Sequence, residues 1–174
     1  MIFNILIKRI KLLLSNKNGF REFAYLIRER ESNNNYQAKN SFGFLGAYQF
    51  GMARLCDLGL TERIKEGMDN DCFKWKDGMS EEMFLNSPEV QDQLFFRHCT
   101  DLAGRINKEF GSEFGKQKHG VMITLSGLIA GAHLLGIGGV RDFINNGENK
   151  KDGYNTSIKD YIQSFVGFDL EKLI

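Results

Sequence analysis

Phe20-Arg21-Glu22-Phe23-Ala24-Tyr25-Leu26-Ile27-Arg28-Glu29-Arg30-Glu31 is the stretch whose pattern organises the rest of the chain. At about 100° of rotation per residue, Phe20, Phe23, Ala24 and Ile27 fall on one face, and the next residue in that series is Glu31. Glu22 and Glu29 lie on the opposite, charged face, flanked by Arg21 and Arg30. The pattern predicts a helix over 20–31 that buries its apolar stripe and ends on a carboxyl group standing where a core residue belongs. A carboxyl group in half-apolar surroundings has its charged form destabilised, which is the condition a general acid needs near neutral pH. The alternative is a helix that stops at Arg30 and leaves Glu31 in water.

The segment that follows, 32–51, breaks the helical period. It alternates uncharged hydrogen-bonding residues (Asn, Gln, Ser, Tyr) with flat aromatic ones and places Gly43 and Gly46 three apart. This reads as a long loop or small β-hairpin region. Its composition suits a sugar, whose faces stack on rings and whose hydroxyls need donors and acceptors, and glycine lets backbone come close to a ligand. Phe42, Phe44 and Phe50 are expected mostly in the core. Between Ser32 and Cys56 there is no Asp or Glu.

Outward from this region helical patterns dominate. Residues 2–15 read as an amphipathic helix and 51–68 as another, with Gly59 as an interruption. Ser80 is an N-cap candidate, and Ser87-Pro88 opens a helix to about Glu109, with proline in its first turn. Thr124–Leu135 reads as a buried helix, Gly136-Ile137-Gly138-Gly139 as a tight turn, and Val140–Asn146 as a short helix. Asp152–Ser157 reads as a loop, with Ser157 capping a last helix from Ile158 to about Val166. The expected fold is mainly α, one domain over 1–174, with a single irregular insertion after the 20–31 helix.

Composition limits the function. The chain has 174 residues, 42% hydrophobic and 26% charged, as in soluble globular domains. The net charge of +1 argues against a nucleic-acid binder, which carries a basic excess; the basic residues that cluster in 1–30 read as a solvated helix face. Cys56, Cys72 and Cys99 form no CxxC or Cys/His metal pattern and read as thiols of a protein made in a reducing compartment. His98, His119 and His133 form no HExxH or HxH pattern. No metal or cofactor is expected. The start of the chain puts apolar residues before the charges and lacks a small-residue cleavage site, unlike a signal peptide. The apolar run 121–135 is shorter than the roughly 20 residues of a membrane span, so no span is expected.

Glu31-Ser32 followed by Gly43-x-x-Gly46-x-x-Gln49 resembles the Glu-Ser…Gly-x-x-Gly-x-x-Gln signature of the lytic transglycosylase and goose-type lysozyme group, with twelve residues from glutamate to first glycine and eighteen to the glutamine. Ala132-His133-Leu134-Leu135-Gly136-Ile137-Gly138-Gly139-Val140 is similar to that group's Ala-Tyr-Asn-Ala-Gly-Pro-Gly-x-Val segment, with His133 for Tyr and Leu134 for Asn; Tyr48 stands where the group has Met. The stretch from Gly138 through Tyr161 also resembles wall-degrading domains of phage tails and secreted antibacterial effectors.

The resemblance implies a lysozyme-like helical domain that cleaves the MurNAc–GlcNAc bond of peptidoglycan. In it Glu31 is acid and base, Ser32 bonds the substrate or the loop, Gly43 and Gly46 shape the turn, and Tyr48 and Gln49 border the scissile sugar. His133 orients Glu31, and Tyr154 and Asn155 line the cleft. Most glycosidases need two carboxyl groups, so the acid-free loop favours a reaction in which the muramyl 6-hydroxyl closes a 1,6-anhydro ring. Asp57, Glu62, Asp142 and above all Asp152 are the distant acids that would instead make a hydrolase. A hydrolytic muramidase or chitinase-like enzyme, and a catalytically silent glycan-binding module, stay open at this point. By the same analogy, the protein is made in the cytoplasm, delivered to the wall by a secretion system, phage particle or holin, and met by an immunity or inhibitor protein.

Overall fold

A computed structural model describes residues 19–64 and 73–174. The helix expected over 2–15, the end of the one expected over 51–68, and Cys72 lie outside them. The described chain is mainly α-helical with two small two-stranded antiparallel sheets. It divides into two compact units, one formed by Ala24–His98 and the other by Cys99–Ile174 together with Gly19–Phe23.

The 20–31 pattern is realised as α1 (Phe20–Ser32), which enters the first unit at Ala24, with Phe20, Phe23, Ala24 and Ile27 buried and Glu22, Glu29 and Arg30 exposed. Two asparagines end it. Asn33 and Asn34 take left-handed conformations (φ 54° and 59°), which Asn tolerates better than most residues, and their N–H groups donate to the carbonyls of Glu29 and Arg28. The next helix is shorter than its pattern suggested. α2 covers only Met52–Asp57. Leu60 N–H donates to Leu55 O and Gly59 N–H to Cys56 O, with Gly59 at φ 83°. This is a Schellman ending, for which a glycine at that position is suited.

The chain then forms β1 (Thr61–Arg63), paired with β2 (Phe73–Trp75), Glu62 opposite Lys74; this hairpin corrects the expectation of continued helix. Ser80 caps α3 (Glu81–Leu85) by accepting from Met83 N–H. The long α4 (Pro88–Phe110) begins at the expected proline. The core of this unit gathers Leu45, Tyr48, Phe50, Leu55, Phe84 and Phe95. Tyr48 stacks on Phe95, ring centroids 3.9 Å apart.

In the second unit, β3 (Gln117–Lys118) and β4 (Val121–Met122) form a tight hairpin. Thr124 then caps α5 (Leu125–Asn146). This helix is long and apolar enough by length and composition to cross a membrane, yet most of Leu125–Ala132 and Ile137–Ile144 is buried inside the unit. The turn expected over 136–139 is narrower than that. Only Leu135 and Gly136 leave helical geometry, Gly136 at φ 69° and ψ 173°, and Ile137, Gly138 and Gly139 already belong to the resumed helix. Glycines elsewhere on α5 serve packing: a Cβ on Gly131 would stand 2.7 Å from the Ile162 side chain, and one on Gly127 2.9 Å from Ile162 O. Thus α6 (Ile158–Ser164), capped by Ser157, lies directly on α5.

Candidate functional site

The site is built on the last turn of α1 and the loop 33–50. Glu31 closes the buried stripe of α1 and is itself half-buried. Ser32 laces the helix end to the loop: its hydroxyl donates to Ala47 O at 2.9 Å and accepts from Asn35 N–H at 3.1 Å. So the residue beside Glu31 is tied to the middle of the Gly43–Gln49 segment.

The loop is ordered by its own backbone. Gly46 N–H donates to Ala38 O at 2.8 Å, and Leu45 and Phe50 exchange both hydrogen bonds. Gly43 (φ 82°) and Gly46 (φ 76°) take conformations that disfavour side chains. Gly46 carries a second constraint, because a Cβ there would overlap the amide of Gln91. Gln49 is also left-handed (φ 50°), and its side-chain amide donates to Gly46 O at 2.8 Å, closing the turn on itself.

Tyr48 lies inside the unit, 1% exposed. Its phenol donates to Asp92 Oδ1 at 2.7 Å and accepts from Arg28 Nη1 at 3.0 Å. Its place is therefore beneath the loop, corrected from the expected border of the sugar.

Two phenylalanines expected mostly in the core are outside it. Phe42 is 61% and Phe44 41% exposed, and among the described residues every other phenylalanine is buried or half-buried. The turn that shows them is pinned by Asn40, whose Oδ1 accepts from Phe42 N–H at 2.9 Å and Phe44 N–H at 3.0 Å.

Sequence patterns missed a polar cluster under this loop. Asp92 Oδ1 accepts from Arg28 Nη1 (2.9 Å), Tyr36 OH (2.8 Å) and Tyr48 OH (2.7 Å). Arg28 also packs over the Tyr36 and Tyr48 rings, 5.3 and 5.6 Å from their centroids. Burial first, and then Asp92, push both phenols above their usual range. The helical pattern of 20–31 gives Arg28 no special place, and a partner 64 positions away leaves no periodic trace.

His133, Tyr154 and Asn155 belong to the second unit. His133 is half-buried, two residues before the break in α5. Tyr154 is exposed, and Asn155 accepts from Lys151 Nζ at 2.8 Å. Asp152, the acid singled out above, accepts from Tyr154 N–H (3.0 Å) and Thr156 N–H (2.7 Å) and so caps its own loop. Asp142 pairs with Lys150, Asp57 with Arg54, and Glu62 with Lys74. Among the described residues no cluster of His, Cys, Asp and Glu is arranged to hold a metal ion. No family model, curated protein or solved structure matches the chain.

Proposed function

We propose that the chain is a lysozyme-like, peptidoglycan-cleaving enzyme of the lytic transglycosylase kind, with Glu31 as its only acid/base. The observation that carries this reading is the pairing of a half-buried Glu31 at the end of an apolar stripe with Ser32 bonded to the Gly43–Gln49 loop. The protonated Glu31 carboxyl gives its proton to the glycosidic oxygen as the C1–O4 bond of MurNAc–GlcNAc breaks. The resulting carboxylate takes the proton of the muramyl 6-hydroxyl as its oxygen bonds to C1. The strand is cut, an anhydro ring forms, and Glu31 returns to its starting state without activating water.

Three features support the non-hydrolytic form. The loop lacks carboxylates. Of the acids that do reach it, Asp92 holds three donors on one oxygen and Glu81 is paired with Lys39. Asp152 is committed to its own loop. The exposed rings of Phe42 and Phe44 give the glycan flat surfaces to stack on, as aromatic faces do for sugars.

Clearing of purified peptidoglycan sacculi tests the reading. Wild type is expected to solubilise them and Glu31→Gln, of nearly the same size, to lose all but about a thousandth of that rate, as for removal of an essential acid/base. Equal clearing by the two proteins removes Glu31 from the mechanism.

A further inference from the structure

Gln91 and Asp92 are neighbours near the start of α4, and together they grip the loop at both ends. Gln91 is wholly buried. Its Oε1 accepts from Ala47 N–H at 2.8 Å, while its Nε2 donates to Tyr36 O at 3.0 Å and Phe84 O at 2.9 Å. Asp92 takes the hydroxyls of Tyr36 and Tyr48, the first near the entry of the loop and the second near its exit, and adds Arg28 from the last turns of α1.

Every hydrogen-bonding atom of the Gln91 side chain is thus used on the loop or its base, and the missing Cβ of Gly46 leaves room for that amide, with the Phe84 ring beside it. The second half of the loop is seated in the core by Leu45, Ala47, Tyr48 and Phe50, whereas 33–44 has no buried residue of its own. The side-chain hydrogen bonds that tie the loop to the two helices come from Arg28 and Ser32 on α1 and from Gln91 and Asp92 on α4.

We infer that Gln91 and Asp92 are positioning residues for the Glu31 reaction, fixing loop 33–50 against the end of α1 and so the place of the sugar relative to the carboxyl. The inference rests on the proposed role of Glu31. Neither residue touches the reacting atoms in this account. Both act through the loop, and a displacement of about 1 Å at a reacting centre costs up to about 100-fold in rate.

The test compares wild type, Glu31→Gln, Tyr36→Phe, Asp92→Asn and the Tyr36→Phe/Asp92→Asn pair on purified sacculi, with kcat and KM measured well below each melting temperature. Tyr36→Phe removes one hydroxyl from a half-buried ring and keeps the protein folded if the larger change at Asp92 does not. The expected result is a fall in kcat of about 10- to 100-fold for Tyr36→Phe and for Asp92→Asn, with KM changed less. The pair should be no slower than Asp92→Asn alone, because both act through one network. A purely structural role lowers the melting temperature and leaves kcat of the folded protein at the wild-type value; that result overturns the inference while Glu31→Gln stays inactive. Failure of wild type itself to cut sacculi overturns the reading of Glu31, and the positioning role falls with it.

Discussion

Gly46 meets two demands at once, and each excludes a side chain. Its φ of 76° is strained for any L-residue, and a Cβ would collide with Gln91. Gly46→Ala should cost about 2–4 kcal/mol, backbone strain and overpacking combined, read from the urea midpoint at constant slope; a change below half a kilocalorie would mean the loop can yield. Gly43, with open space where its Cβ would stand, should lose only the strain part, about 1–2 kcal/mol. Phe42 and Phe44 face solvent, so replacing both with alanine should leave stability within about 0.5 kcal/mol. The same change should raise KM on sacculi several-fold; an unchanged KM removes the rings from the substrate path. At this scale the position of Glu31, half-buried at the end of α1, was legible, because the stripe of α1 is a property of thirteen neighbouring residues. Asp92 and Gln91 were hidden, since their ties to the loop and to α1 reach atoms 44 to 64 positions away. The exposure of Phe42 and Phe44 was hidden for a similar reason: only the Asn40 turn decides that they point outward.

Elements are governed by their ends and breaks. Ser80, Thr124 and Ser157 each accept from a backbone N–H three residues on, and each cap is worth about 1 kcal/mol against alanine. The break in α5 is sharper. Gly136 sits at φ 69° and ψ 173°, a region used almost only by glycine, so Gly136→Ala should destabilise by about 1–3 kcal/mol, measured by thermal or urea unfolding. A neutral result there would show that the two halves of α5 can straighten. Caps at Ser80 and Ser157 and the proline start of α4 were legible because each is a local rule. The hairpins β1–β2 and β3–β4 were not. Strands of two or three residues are too short to show an alternating pattern, and the Schellman glycine at 59 looked like an interruption when it was an ending.

At the scale of the whole molecule, pH connects the buried cluster to stability. Tyr36 and Tyr48 are held above the ordinary phenol value of 10.0 by burial and then by Asp92. The unfolded chain releases these protons near that value while the folded chain keeps them. Their contribution is therefore complete below about pH 10 and declines as pH rises beyond it. Melting temperatures taken between about pH 8 and pH 11 should fall more steeply for wild type than for Tyr48→Phe; parallel curves would mean that Tyr48 ionises freely in the folded protein. The mainly α class was readable from the chain as a whole, because scarce proline and long 3.6-residue periods leave few other solutions. The division into two compact units left no such mark, since no linker composition announces it.

The central claim is that a lone carboxyl group cuts the wall polymer with the substrate's own hydroxyl as nucleophile. Mass spectrometry of the fragments released from purified sacculi tests it most directly. Wild type should leave 1,6-anhydro-muramyl ends, two hydrogens and one oxygen lighter than reducing ends, and Glu31→Gln should release neither. Reducing ends as the main product, or fragments released equally by Glu31→Gln, would contradict it.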